Sequence, residues 1–122
     1  MLIIILVVMG EEIQPSVDFK LELESCVLNV KVIVLEFCYI IYIGKKNSIE
    51  IMTMGNFGRS TLLDLSPGAC SQMYVEGLNL KLSKAFPGKQ IFISTDLSND
   101  DSPEFWSEIF SKFVPKLKEV LC

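Results

Sequence analysis

The sequence predicts one α+β domain, an antiparallel β-sheet of about six strands packed with two α-helices, the last C-terminal and kinked near Pro115. Three observations predict it. Apolar and polar residues alternate strictly through residues 17–24, and alternation resumes at Leu28, Val30, Val32 and Val34 with Asn29 and Lys31 among the positions between them, as in half-buried antiparallel strands. Residues 37–43 (FCYIIYI) are seven consecutive apolar or aromatic residues, which leaves neither face of that strand for water. After residue 72 the apolar positions recur at helical spacing in two separate stretches.

In the first strand Val17, Phe19, Leu21 and Leu23 share one face, with Asp18, Lys20, Glu22 and Glu24 on the other. A second strand follows, with Leu28, Val30, Val32 and Val34 apolar and Asn29 and Lys31 between them. Gly44, Lys45, Lys46 and Asn47 carry turn chemistry and residues 49–54 (IEIMTM) return as a strand, so 37–54 is expected to be a hairpin at the sheet centre. The glycine-rich stretch 55–70 is expected to be a loop with an extended piece at 61–65. Val75, Leu78, Leu82 and Phe86 mark an amphipathic helix that Pro87 and Gly88 stop, and 89–95 (KQIFIST) is a short strand. Ser102 is placed to cap the last helix, Pro103 to occupy its first position and Glu104 to face the positive end of its dipole. Phe105, Trp106, Ile109, Phe110, Phe113, Leu117, Val120 and Leu121 form its apolar stripe, and Pro115, without an amide hydrogen, is expected to kink or restart it.

A length of 122 residues suits one domain, here residues 17–122, because two cores would each need about 50 residues or more. The run Met1–Met9 is wholly apolar, yet a membrane span needs ~20 such residues and a secretory signal a positive start. The first charges are Glu11 and Glu12. Residues 1–16 are therefore read as an apolar leader or an edge strand. A signal cleaved near Val8 and Gly10 and a mis-assigned translation start remain open.

A net charge of −4 lacks the basic footprint of a nucleic-acid binder. The chain has no histidine, which removes the commonest general base and metal ligand together. The four cysteines, Cys26, Cys38, Cys70 and Cys122, form no C-x-x-C and fit free thiols in a reducing compartment, with a disulfide pairing as the alternative. The segment GNFGRS at 55–60 lacks the spacing and lysine of a phosphate loop, and the same GNFG lacks the basic neighbours of a nucleic-acid-clamping loop. Asp96, Asn99, Asp100 and Asp101 lack the alternating ligands of a calcium loop and are read as an acidic helix entrance, Lys45 and Lys46 as a solvated turn. No catalytic centre, cofactor or metal site is expected. What stands out is an apolar excess: more fully apolar strand positions than two helices can cover, with Met52 and Met54 adding adaptable surface. That points to a protein partner.

The order of elements resembles the proteasome assembly chaperone 4 family. The resemblance covers about residues 19–121 and is best in GLNLKLSKAFPGKQIFISTDLSNDDSPEFWSEIF, at Gly77, Leu78, Lys89, Gln90, Ile91, Phe92, Ile93, Ser94, Leu97, Asn99 and Asp100. The apolar strand Phe37 to Gly44 and the strand 49–54 with its Ser-Thr-Leu-Leu continuation are similar as well, whereas Met1–Met9 has no counterpart. The resemblance implies a non-enzymatic chaperone of the cytoplasm and nucleus that forms a heterodimer with a protein like proteasome assembly chaperone 3. It also implies transient binding to proteasome α subunits while the 20S α-ring forms, without nucleic acid, membrane or cofactor. Alternation selects Tyr39, Ile41, Met52 and Met54 as the partner face, and Arg59 with its loop as an α-subunit contact. The competing reading is a longin or roadblock adaptor of membrane traffic, which pairs through an edge strand.

Overall fold

A computed structural model describes residues 16–56, 59–65, 69–97 and 102–121. The expected leader Met1–Met9 and the residues Asn99, Asp100 and Asp101 lie outside them. The elements in chain order are β1 (Ser16–Glu22), β2 (Val27–Val34), β3 (Cys38–Gly44), β4 (Ile51–Asn56), β5 (Arg59–Leu65), α1 (Gln72–Ala85), β6 (Gln90–Thr95) and α2 (Pro103–Leu121). The strands make one six-stranded sheet in the order β1-β2-β3-β6-β4-β5. Among the described residues, no helix is long and apolar enough to cross a membrane.

The α+β class and the two helices are as the sequence predicts, and the sheet is mostly antiparallel. The exception is the central pair, since β3 and β6 run parallel, with Ile41 opposite Ile93. That pair corrects the expected 37–54 hairpin. β3 and β4 do run in opposite directions, but β6 lies between them and is antiparallel to β4. The link 45–50 therefore crosses the end of β6, a gap of about 10 Å at two strand spacings. The stretch 55–70 is corrected too: β4 continues through Gly55 to Asn56, and Arg59–Leu65 is a strand paired to it across a register shift after Met52.

Both helices pack on one face of the sheet. α1 lies over β4, β5 and β6, and α2 reaches β1. The predicted stripes are the buried ones: Val75, Leu78 and Leu82 of α1 and Ile109, Phe113 and Leu117 of α2 are fully buried, against Leu28, Val32, Ile41, Ile43, Ile51, Ile91 and Ile93 of the sheet. Each such side chain contributes about 1.5–3 kcal/mol by leaving water. Aromatic contacts fix the layers, with Tyr39 edge-on to Phe86 at 5.4 Å, Tyr74 stacked on Trp106 at 5.6 Å, and Phe19 tilted against Phe113 at 6.4 Å. Ser102 Oγ accepts the Phe105 amide at 3.3 Å, the expected cap. α2 does not restart at Pro115. Pro115 and Ser111, whose carbonyl loses its helical donor to the proline, are both exposed, so water can take that bond.

Candidate protein-interaction surface

Strand register sorts the side chains between the two faces. Tyr39, Ile41 and Ile43 lie level with Ile91, Ile93 and Thr95, and these with Gly55, Thr53 and Ile51, all facing the helices. The opposite face carries Ile33, Ile40, Tyr42, Phe92, Met52 and Met54. The expected partner set is thereby divided. Register places Tyr39 (7% exposed) and Ile41 (0%) on the face under the helices, whereas Met52, equally buried at 7%, and half-buried Met54 lie on the opposite face. Alternation gives the parity within a strand, but parity between strands depends on register, and the hairpin that linked 39 to 54 does not exist. Arg59 opens β5 opposite Asn56, and its side chain lies outside the described residues. Among the described residues, the large apolar side chains that stand in water are Val27, Phe37, Leu63, Leu65 and Met73, at the ends of strands, along β5 and at the start of α1.

The open face bears a groove of about 600 Å³ lined by Ser16, Asp18, Lys31, Ile33, Ile40 and Tyr42, and on its other side by Asn47, Ser48 and Ile49 of the link 45–50. Apolar floor and charged rim make the composition expected of a protein-binding face. The wall formed by the link is held by a knot at the end of the parallel pair. Asp96, 4% exposed, accepts the Tyr42 hydroxyl at 2.6 Å, the Lys46 amide at 2.7 Å, the Lys45 amide at 2.9 Å and the Ser48 amide at 3.4 Å. The Tyr42 oxygen in turn accepts the Asn47 amide at 2.8 Å, and Asn47 takes a left-handed φ of 59°. A side chain on Gly44 would run into the Asp96 carboxylate and the Tyr42 hydroxyl, so the close approach requires glycine there.

The electrostatics follow the geometry. Burial alone raises the Asp96 carboxyl, but the hydrogen bonds from Tyr42, Lys45, Lys46 and Ser48 outweigh it and hold it below the ordinary carboxylate range. Burial, then the bond to Asp96, pushes the Tyr42 hydroxyl well above its usual value. Asp96 is thus no part of an acidic helix entrance, whereas Lys45 and Lys46 are exposed as a solvated turn would be, with their amides donating to Asp96. The Lys45 ammonium itself lies 5.8 Å over the Phe105 ring and so ties the link to α2. Sequence reasoning passed over this knot because its partners are about 50 residues apart. The local signal was a glycine closing an apolar strand ahead of several consecutive amides.

Elsewhere, Lys89 lies 5.1 Å over Tyr39 and donates to the Leu35 and Glu36 carbonyls, closing the turn beside Phe37. Burial raises the Cys38 thiol, with Lys89 opposing. Cys26, Cys38 and Cys70 are free thiols. Among the described residues there is no group of three or more Cys, Asp or Glu able to hold a metal ion.

Fold and surface together define an α+β domain, with a mixed sheet covered by helices on one side and bearing an apolar groove on the other. No family model matches the sequence, and a search of curated proteins gave no match. Among solved structures, the fold is similar to that of a chain in the crystal structure of a novel chaperone complex for yeast 20S proteasome assembly. The TM-score is 0.56 at 11% identity, over 81% of this chain and 96% of that one. At that identity the likeness is one of fold.

Proposed function

We propose that this chain is a chaperone of 20S proteasome assembly. It works as a heterodimer with a related partner, one like proteasome assembly chaperone 3, and binds α subunits transiently to promote α-ring formation in the cytoplasm and nucleus. The observation that carries the reading is the fold shared with a chain of the yeast assembly-chaperone complex along nearly the whole length of that chain. The open face supports it: Ile33, Phe92 and Met54 are only half-buried there, and a second sheet laid about 10 Å away would complete a sandwich. Binding is the sole source of free energy, so the chaperone acts by holding α subunits in order and leaves when the ring offers them better contacts.

Affinity capture of the tagged full chain, followed by mass spectrometry, tests this. The expected result is a small sheet-containing partner together with proteasome α subunits, sedimenting with half-assembled particles. Recovery of neither, or of a small GTPase and membrane markers instead, overturns it.

A further inference from the structure

The two edges of the sheet are built differently. β1 carries Asp18, Lys20 and Glu22 exposed along its length, and α2 is strapped to its far end, where Lys112 donates to the Glu22 carbonyl and Glu108 accepts the Glu24 amide at 2.8 Å. Charges and a covering helix keep foreign strands off an edge. β5, the other edge, pairs among the described residues with β4 alone. Its charges by sequence, Arg59 and Asp64, stand toward its two ends, and Ser60 to Leu63 between them carry none. Thr61 is exposed, and so are Leu63 (47%) and Leu65 (38%). A strand bonded on one side turns its remaining amides and carbonyls outward at alternate residues, so what this edge accepts is main chain in extended form. Register fixes the side chains beside it: Leu62 is level with Thr53 and Leu65 with Ile51 on the helix side, Thr61 with Met54 on the open side. The register shift leaves Leu63 without a counterpart in β4, and such a bulge interrupts the straight run along which a second copy of β5 would zip.

We propose that β5 is a strand-addition site for another protein: an extended segment without proline, apolar at every second residue, pairs with its outer edge over residues 60–63 and lays its apolar side chains beside Leu62 and Leu65. Main-chain bonds give the pairing its strength, and the leucines choose its register. The site is an edge, whereas the proposed function places the partner's sheet on a face, so each stands or falls without the other.

The test adds a capped peptide of alternating threonine and valine, acetyl-Thr-Val-Thr-Val-Thr-Val-Thr-amide, to the full chain and follows amide hydrogen exchange residue by residue. At about ten times the peptide's dissociation constant, exchange at the outward amides of residues 60–63 should slow by about tenfold, with β1 unchanged. The same peptide with two successive prolines at its centre loses an inward amide whichever way it seats, and should leave exchange as it was. No slowing at millimolar peptide, equal slowing along β1, equal slowing with the proline peptide, or slowing that grows with protein concentration alone and marks a second copy as the occupant, would each overturn the proposal.

Discussion

Replacing Asp96 by alanine probes the knot that holds the groove wall. Removing the carboxylate strands the Tyr42 hydroxyl (2.6 Å) and the Lys46 and Lys45 amides (2.7 and 2.9 Å). A hydrogen bond to a charged acceptor contributes about 1.5–3 kcal/mol, but the link amides are only partly buried, and water can replace the carboxylate for them. The expected loss is about 3 kcal/mol rather than the sum of the bonds, or about 10 °C in Tm for a domain of this size. Asp96→Asn keeps the shape but turns an NH2 toward the donors, and should cost about 2 kcal/mol. The pH dependence gives an internal control. The folded carboxyl titrates below its unfolded value of about 4, so its stabilisation is present above that pH and is lost as pH falls through the folded value. The gap between wild type and Asp96→Ala should therefore be full at neutral pH and shrink in acid. Urea unfolding followed by the fluorescence of the single tryptophan, the buried Trp106, measures it at neutral pH and at about pH 3.5. A variant within about 0.5 kcal/mol of wild type at neutral pH, or a gap that acid leaves unchanged, would refute the account.

Other outcomes follow from the same geometry. Gly44→Ala should destabilise by about 2 kcal/mol or more, because the added carbon meets Asp96 and Tyr42. Gly77→Ala should stabilise by about 0.5–1 kcal/mol, since its added carbon meets only the Phe110 ring at 3.7 Å in ordinary contact and α1 gains helix propensity; thermal melts of the pair give the two signs. Phe113→Ala, at a site fully buried between α2 and the sheet, should cost about 3–5 kcal/mol in urea unfolding. Pro115→Ala restores the amide donor to the Ser111 carbonyl and should raise stability by about 1–2 kcal/mol, measured the same way. Phe92→Asp and Met54→Asp on the open face should abolish capture of the partner with little change in circular dichroism, whereas an unchanged capture would move the partner elsewhere.

The helices and the strand alternation were legible because each is a local pattern. Val75, Leu78 and Leu82 repeat within one helix, and Val17, Phe19 and Leu21 within one strand, so period alone assigns their faces. The apolar segment at 37–43 likewise announced a central strand. Its neighbour was not legible. Gly44 to Asn47 read as a reversal, and the chain does reverse there, but local turn chemistry cannot distinguish a step to the adjacent slot from a step over β6. The candidate site inherited that ambiguity. With β6 inserted, the registers place Tyr39 and Ile41 under the helices and Met52 and Met54 on the opposite face. Asp96 reads from sequence as part of an acidic helix entrance for a related reason, as its meaning depends on the parallel pairing that brings Thr95 level with Ile43.

The place of β6 also bears on how the polypeptide is made. The strand that joins β1-β2-β3 to β4-β5 is the last to be synthesised, residues 90–95 of 122. While the ribosome is still adding α1, the two halves can form only separate ribbons, and the flanks of β3 and β4 that await β6 are bare templates for any passing strand. Joining them is a long-range event, slow by topology, and it coincides with the emergence of the aromatic-rich α2. A premature stop between Leu65 and Gln90 would accordingly leave two sticky ribbons of sheet unjoined instead of a smaller domain.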